Sequence, residues 1–513
     1  MSAQSDLNLL ERAIATIAPG YAFRREMDRR RLEIIRSTGY EGAAAGRRTQ
    51  NWKTSRRDAN AEIAPALPLL RDRSRDLKRN NPYAAAAMEA IVDDTVGYGI
   101  KPKPKGRNDT ITRRAGEFWK QHAETTLIDR DGKHDIYGLE ALALATIVES
   151  GAVVVRRHLL SSAEMKALGA ALPFQIQVIE PDIIDMNRDG PQPDGSVDIK
   201  GIRFEKNGGI RGYWLFDEHP GSGTPRLNSI SKFLPAGDVI HCYRMDRPGQ
   251  VHGVPWAAPV MLRMRNFDET EDAYVELQKV AACFGIWFSG LEGEFGKTKM
   301  QIAERLEPGQ IGFAPPGTTP HFTSPPTVNG YKDFSSITLH AIAAGFGVPY
   351  EVFGDLSAVN FSSGRMGWQK YQRRIERWQF QMFIPGLCDG VWRWFNSSMD
   401  HSGLLAEFCP AVWVPPRRMM VNPKEEIAAI KDEIRNGLTT WPQAITERGF
   451  DAAEQAEEIA ESNTLLDKHG LKLDCDPRFA LPAGSAGATD GGNDQSSGEK
   501  KQNINGKEET SAE

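Results

Sequence analysis

The stretch from Pro255 to Phe395 constrains the fold of this 513-residue chain more than any other part of it. Apolar residues recur there at helical spacing, and glycine, proline and serine interrupt them. The pattern predicts, in order, a helix over 256–288, a compact insertion over 289–331, a helix over 332–346, a loop over 347–365 and a long helix over 366–396. This order of elements favours a conduit or an assembly over a catalytic pocket.

The first of these helices carries an acidic stripe. Asp268, Asp272 and Glu276 recur every four residues, which places them on one helical face. Like charges at this spacing repel one another, so we expect the stripe to have a benefit that offsets the repulsion. Solubility is the commoner reason, and a negatively charged channel wall is the functional alternative. Such a wall would not bind passing DNA, because it repels phosphate.

The last long helix carries an apolar stripe instead. Its members alternate at intervals of three and four residues: Trp368, Tyr371, Ile375, Trp378 and Met382. Aromatic rings can stack on bases, but a stripe at this spacing is more typical of packing. We expect it in the core or at a subunit interface.

Helical patterns dominate the N-terminal part of the chain. Residues 61–98 predict a helical unit, in which Asn81 caps a helix that begins at Pro82. Further helices are predicted over 111–124 and 137–151. The residues before this unit look like a partly helical arm.

Strand patterns follow over 151–245. Short runs rich in Val, Ile, Tyr and Phe alternate with polar residues there, which predicts a mainly β module. Asn207-Gly208-Gly209 lies between two such runs and predicts a hairpin, since these residues tolerate positive φ. Helices are predicted again over 421–470, with Asn422-Pro423 opening one and Gly437 closing it. From about residue 480 the sequence has almost no apolar residues, which predicts disorder.

Composition narrows the class of protein. The chain is 40% hydrophobic and 26% charged, as soluble globular proteins are. No run of 18 uncharged apolar residues occurs, so neither a membrane span nor a membrane partner is expected. The five cysteines are widely spaced without a CxxC pair, which predicts neither a disulfide framework nor a structural zinc site and favours a reducing cytoplasm.

Enzyme signatures are weak throughout the sequence. The segment GLEGEFGKT at 290–298 lacks the spacing of a Walker A loop, which must wrap phosphates with backbone amides. The ten histidines form no HxxxH or HExxH pair, and no GxSxG elbow occurs. Asp93-Asp94 and the carboxylates of helix 256–288 suggest a metal-dependent nuclease, but no third set of ligands accompanies them. No catalytic residue, metal ligand or cofactor is predicted.

Three stretches resemble the lambda-type family of tailed-phage portal proteins. The similarity spans roughly residues 20–470. Its most specific parts are the phrases RPGQVHGVPW and GVPYEVFGDLS…NFSS. The stretches are LRDRSRDLKRNNPYAAAAMEAIVDDTVGYGI at 70–100, HCYRMDRPGQVHGVPW and its continuation to 288, and YKDFSSITLHAIAAGFGVPYEVFGDLS and its continuation to 387.

The resemblance implies an α+β portal fold with a mixed wing, a helical stem, a small α/β clip and a helical crown. Its parts would be an arm (1–24), the wing (25–255), a stem helix (256–288), the clip (289–331), a second stem helix (332–346), a tunnel loop (347–365), a long helix returning to the wing (366–420), the crown (421–479) and a disordered tail (480–513).

The same resemblance implies roles for individual residues. The tunnel loop would place five residues near DNA: Asp355, Asn360, Ser362, Ser363 and Arg365. The stem would line the channel with Asp268, Asp272 and Glu276. The clip would meet the terminase motor through Glu294, Lys297, Lys299 and Arg305.

As a family member, the chain would form a ring of twelve copies at one capsid vertex and conduct double-stranded DNA without regard to sequence. Its partners would be the large terminase subunit, head-completion and neck proteins, and the major capsid and scaffold proteins. It would assemble in the bacterial host cytoplasm and reside in the virion. The alternatives are a packaging nuclease or ATPase and a monomeric DNA-binding adaptor.

Overall fold

A computed structural model describes most of the chain. The described residues are 20, 24, 25, 27, 28, 54–223, 230–282, 286–288, 311–313, 330–353, 361–405, 407–416, 420 and 422–471. The protein is α+β, as predicted from its sequence. It divides into two units, Met1–Pro416 and Arg417–Glu513.

Helices dominate the first part of the larger unit. They are α1 (Ala59–Asn80), α2 (Pro82–Thr95), α3 (Asp109–His122) and α4 (Ile136–Ser150). Asn81 separates α1 from α2 and caps α2, because its side chain accepts a hydrogen bond from the Ala84 amide at 2.8 Å. Pro82 begins α2 without leaving an amide unpaired, which confirms the predicted start.

Helix α4 ends where two backbones approach closely. Gly151 caps it in the left-handed region with a φ of 89°. A Cβ at this position would lie 2.5 Å from the carbonyl oxygen of Gly253. Only glycine therefore fits between α4 and the strand that follows.

The β module contains two antiparallel sheets. Its strands are β2 (Ala152–Leu159), β3 (Phe174–Ile179), β4 (Gly190–Pro191), β5 (Val197–Ile199), β6 (Ile202–Phe204), β7 (Ile210–Leu215), β8 (Lys232–Pro235) and β9 (Val239–Tyr243), with helix α5 (Ser162–Leu168) between β2 and β3. The first sheet has the order β3-β2-β9, and the second has the order β4-β5-β6-β7-β8. The predicted hairpin joins β6 to β7, where Phe204 pairs with Ile210.

A strand pair joins distant parts of the larger unit. Strand β1 (Lys101–Pro104) pairs antiparallel with β12 (Ala411–Val414), so that Lys101 faces Val414 and Pro104 faces Ala411. The segment that follows the last long helix thus returns to the N-terminal helices.

The predicted helix over 256–288 is shorter in the structure. Helix α6 spans Met261–Ala282, and Ile286–Phe288 forms strand β10, which pairs in parallel with β11 (Ile311–Phe313). The sequence Pro255-Trp256 lies before the helix because residues 256–260 form turns. Helix α7 (Tyr331–Phe346) matches the predicted second helix.

The last long helix is longer than predicted and changes type along its length. Helix α8 (Phe361–Trp378) continues as a π-helix (Gln379–Cys388) and then as α9 (Asp389–His401). The predicted start at 366 was wrong because residues 361–365 already belong to the helix. Pro385 lies inside the π-helix, where its missing amide breaks the regular α-helical ladder.

The core of the larger unit lies where these helices meet the first sheet. Trp119 of α3 packs against Trp392 and Phe395 of α9, with ring centroids 4.9 Å and 5.2 Å apart. The indole of Trp392 also donates a hydrogen bond to the carbonyl of Cys409 at 2.7 Å. A smaller cluster around Ile202 and Tyr213 covers the second sheet.

The second unit is helical over 422–471. Its helices are α10 (Pro423–Arg435), α11 (Trp441–Thr446) and α12 (Ala452–Lys468). Pro423 begins α10 and Gly437 follows it in the left-handed region, as predicted. Within 422–471, the buried side chains are Ala444 and Ala452.

Candidate functional site

The acidic stripe of α6 divides into a bonded residue and two exposed ones. Asp268 is half-buried and accepts a hydrogen bond from the Asn81 side chain at 2.7 Å. Asp272 and Glu276 are exposed, and Glu276 pairs with Lys279 at 2.7 Å. Asp268 therefore ties α6 to the junction of α1 and α2, and only the other two lie open on the helix surface.

Helices α6 and α7 are joined by a contact that the sequence patterns did not reveal. Tyr331 at the start of α7 donates a hydrogen bond to Glu271 of α6 at 2.8 Å. The Tyr331 ring stacks on Tyr274 with centroids 4.3 Å apart. Burial and the Glu271 carboxylate raise the pKa of Tyr331 to about 12. These contacts fix the start of α7 against the middle of α6.

The predicted tunnel loop is described only at its two ends. Tyr350–Phe353 form a 3-10 turn, and the Phe353 ring packs against Tyr83 of α2 with centroids 5.8 Å apart. Asp355 and Asn360 lie outside the described residues. Ser362, Ser363 and Arg365 belong to α8 rather than to a loop, and Arg365 is half-buried.

The predicted terminase-docking residues all belong to the clip, the segment 289–331. Glu294, Lys297, Lys299 and Arg305 lie outside the described residues. The described parts nearest to them in sequence are β10 and β11, which pair in parallel, and the start of α7 at Tyr331.

The apolar stripe of the last long helix packs within the chain. Tyr371, Ile375, Trp378 and Met382 are buried in the core, and Trp378 lies 4.7 Å from the Trp256 ring. Of the two predicted uses, core packing is the one observed in a single copy. The opposite face of this helix carries basic residues and is exposed.

A buried carboxyl group holds the π-helix. Glu140 of α4 accepts a hydrogen bond from the Ile100 amide at 2.8 Å and lies 3.7 Å from the Cys388 sulfur. Burial raises the pKa of Glu140 to about 8. Gln379, at the other end of the π-helix, donates to the Thr95 carbonyl at 2.8 Å. The π-helix is thus fixed at both ends by polar groups of α2 and α4.

One carboxylate–histidine group was missed in the sequence. Glu180, Asp182 and His219 offer ligand atoms that all lie within 4.8 Å of one another. Arg75 already contacts both carboxylates, at 3.1 Å for Glu180. Burial would raise the pKa of Asp182, but Arg71 and Arg75 outweigh it and lower the pKa. Arg71 and Arg75 supply the positive charge that a metal ion would otherwise provide. We therefore interpret the group as an ion-pair network rather than a metal-dependent nuclease centre.

The ion-pair network connects separate elements of the larger unit. Arg71 is buried on α1, donates to the Ser150 carbonyl at 3.1 Å and contacts Asp182 at 3.4 Å. Arg71 is 79 positions from Ser150 and 111 positions from Asp182, so no local motif could have marked these contacts. None of the helices in the described ranges is long and apolar enough to span a membrane.

A family model described as "Phage portal protein, lambda family" matches residues 45–379. The chain belongs to this family. As a portal protein it is a structural component of the phage particle. The match covers α1 to α8 and therefore includes the α6–α7 pair and both ends of the predicted tunnel loop.

Two curated portal proteins are similar along most of their length. The portal protein of Escherichia phage N15 is 22% identical, over 88% of this chain and 94% of that protein. Portal protein B of Escherichia phage lambda is 23% identical, over 90% of this chain and 95% of that protein. The resemblance inferred from the sequence is confirmed.

Solved structures of gene transfer agent (GTA) particles are more distant. The neck of the native GTA particle, computed with C12 symmetry, has a TM-score of 0.41 and 13% identity, over 73% of this chain and 92% of that chain. The neck of the empty particle, computed with C6 symmetry, has a TM-score of 0.42 and 14% identity, over 78% and 94%. The family assignment does not depend on them.

Proposed function

We propose that this portal protein forms a ring of twelve copies around a channel for double-stranded DNA at one vertex of the capsid. The family match over residues 45–379 carries the proposal. The α6–α7 pair supports it. These two helices precede and follow the segment 289–331 in sequence, and contacts among Glu271, Tyr274 and Tyr331 hold them together. The segment 289–331 connects the two helices along the chain, and we assign it to docking.

The parts of the subunit follow from this arrangement. The α1–β9 region forms the wing, α6 and α7 form the stem, and residues 289–331 form the clip. The clip docks the large terminase subunit and later the head-completion and neck proteins, through Glu294, Lys297, Lys299 and Arg305. The helices of 422–471 form the crown, and the ring meets major capsid and scaffold proteins during assembly in the host cytoplasm.

The subunit conducts DNA and catalyses nothing in this proposal. The terminase hydrolyses ATP, and the portal provides a passage whose contacts with phosphate are weak and independent of sequence. The residues of the tunnel loop, Asp355 and Asn360 among them, lie nearest to the DNA.

Electron microscopy of the purified full-length chain tests the ring. Rings with a central hole are expected over a range of salt concentrations. Compact monomers under every salt condition would reject the proposal and favour a monomeric DNA-binding adaptor, which would then bind DNA tightly and in a salt-sensitive manner.

A loop replacement tests the channel. Residues 354–360 would be replaced by a Gly-Ser sequence of equal length, which spares Phe353 on the Tyr83 ring and the start of α8 at Phe361. We expect rings to form as in the wild type and the amount of nuclease-protected DNA in particles to fall several-fold. Unchanged packaging and retention would place the loop away from the DNA.

A further inference from the structure

The exposed face of α8 is basic, and its cations form no ion pair with the part of the chain that the structure describes. Lys370, Arg373 and Arg377 are all exposed, at intervals of three and four residues. None of the three takes part in an ion pair with another residue of the described ranges. Met366 before them and Phe380 after them, on the same side, are 72% and 54% exposed.

The exposed face of α6 repeats this spacing with the opposite charge. Glu269, Asp272 and Glu276 are exposed, again at intervals of three and four residues. Each set spans eight residues of helix, or about 10 Å for the seven steps of 1.5 Å between its first and last members. No ion pair joins the two stripes within the described chain, since Glu269 and Glu276 pair only with neighbours on their own helix.

We propose that the acidic stripe of α6 (Glu269, Asp272, Glu276) binds the basic stripe of α8 (Lys370, Arg373, Arg377) of a neighbouring copy of this chain. With the two helices parallel, the matched intervals bring each carboxylate opposite one cation. Two different surfaces of one subunit meet in this contact, and repetition of such a contact closes a ring.

The self-pairing on α6 does not prevent the contact. Arg265 lies 3.0 Å from Glu269, and Lys279 lies 2.7 Å from Glu276, but all four side chains are exposed. Exposed pairs at this helical spacing contribute little to stability because water and salt screen them, so a neighbour's guanidinium can replace them. Partial burial at an interface strengthens the new pairs because fewer water molecules screen them.

The flanking residues favour a protein partner over DNA. Arginine and exposed apolar side chains together are typical of protein interfaces, whereas phosphate needs only the cations. Leu262 and Val275 are exposed on α6, as Met366 and Phe380 are beside the basic stripe. The presence of Arg265 and Lys279 also weakens α6 as a wall that repels phosphate. The contact therefore replaces the channel-wall role that the sequence suggested for Asp272 and Glu276.

Charge reversal tests the contact, which depends on the proposed ring. The variants are K370E/R373E/R377E and E269K/D272K/E276K. R107E/R113E/R114E is a control that matches the charge change of the first variant at exposed positions outside both stripes. Mass photometry over a concentration series measures the assembled fraction. Each stripe variant should need at least about tenfold more protein to assemble, because like charges then face each other. Their combination should recover most of the loss, and the control should assemble normally.

The outcomes separate this contact from the ring itself. Rings in both single-stripe variants would reject the contact and leave the portal proposal standing, and wild-type protein without rings would reject both. Rings that form normally in the E269K/D272K/E276K variant, with altered DNA retention in particles, would return the acidic stripe to the channel wall. Rings that form normally in the α8 variant, with weakened DNA binding, would assign its basic stripe to phosphate.

Discussion

The two units of this portal protein differ in how they bury apolar residues. In Met1–Pro416, large side chains such as Trp256, Phe346 and Phe395 are completely buried. Over 422–471, the buried residues are two alanines, while Leu438, Trp441 and Leu465 are exposed. Burial of apolar area is the main source of folding stability, so the larger unit holds most of it. The helices of 422–471 rely more on local capping.

The largest expected effect on stability comes from creating a cavity in the core of the larger unit. Leu144 of α4 is 0% exposed, and Leu144→Ala would remove its contacts and leave a cavity. We expect the free energy of unfolding of this unit to fall by about 2–5 kcal/mol. Urea denaturation followed by tryptophan fluorescence measures the change, since this unit contains Trp119, Trp256 and Trp392.

A loss below about 1 kcal/mol would mean that the core collapses easily around this position. The two units would then differ in the exposure of their apolar side chains but not in their stability. Ile147→Val, a smaller deletion at a fully buried site on the same helix, is a graded control and should cost about 0.5–1.5 kcal/mol.

The second effect depends on pH. Glu140 is buried, and burial raises its pKa to about 8, well above that of an unfolded carboxyl group. At a pH between the ordinary pKa of an unfolded glutamate and about 8, Glu140 keeps its proton in the folded chain and has lost it in the unfolded chain. Stability is therefore fully present below the unfolded pKa and is lost progressively as the pH rises, until the loss is complete above about 8.

Glu140→Gln removes the titration while keeping the size of the side chain. We expect the difference in unfolding midpoint between pH 6 and pH 9 to be smaller in the variant than in the wild type. Thermal denaturation of both proteins at these two pH values measures it, with Glu117→Gln on the exposed face of α3 as a matched control. Equal pH dependence in wild type and Glu140→Gln would mean that Glu140 is ionised in the folded protein.

Local signals in the sequence predicted much of the fold. Asn81-Pro82, Gly437 and the hairpin at 207–209 each determine a few backbone angles, and the structure has them as predicted. The family signature likewise lies in short contiguous phrases. Element type was therefore predictable wherever the decisive residues are close in sequence.

Contacts between distant segments were not predictable in this way. The pairing of β1 with β12, the π-helix held by Glu140, and the meeting of Arg75 with Glu180 and Asp182 depend on tertiary packing. A helical period also cannot show which face of a helix another element covers. For this reason Asp268 was grouped with Asp272 and Glu276, although only Asp268 reaches Asn81.

The smallest expected effect lies in the second unit and uses the same substitution as the first. Leu438 is 78% exposed, so Leu438→Ala removes little buried area in a single copy. We expect a change within about 0.5 kcal/mol in the unfolding of the monomer. The ratio to Leu144→Ala then measures how differently the two units are held together, because Leu144 is fully buried and Leu438 is exposed. If Leu438→Ala lowers the thermal stability of assembled rings but not of monomers, a second copy covers this surface in the particle. A large loss already in the monomer would contradict the contrast and show that 422–471 has a core of its own.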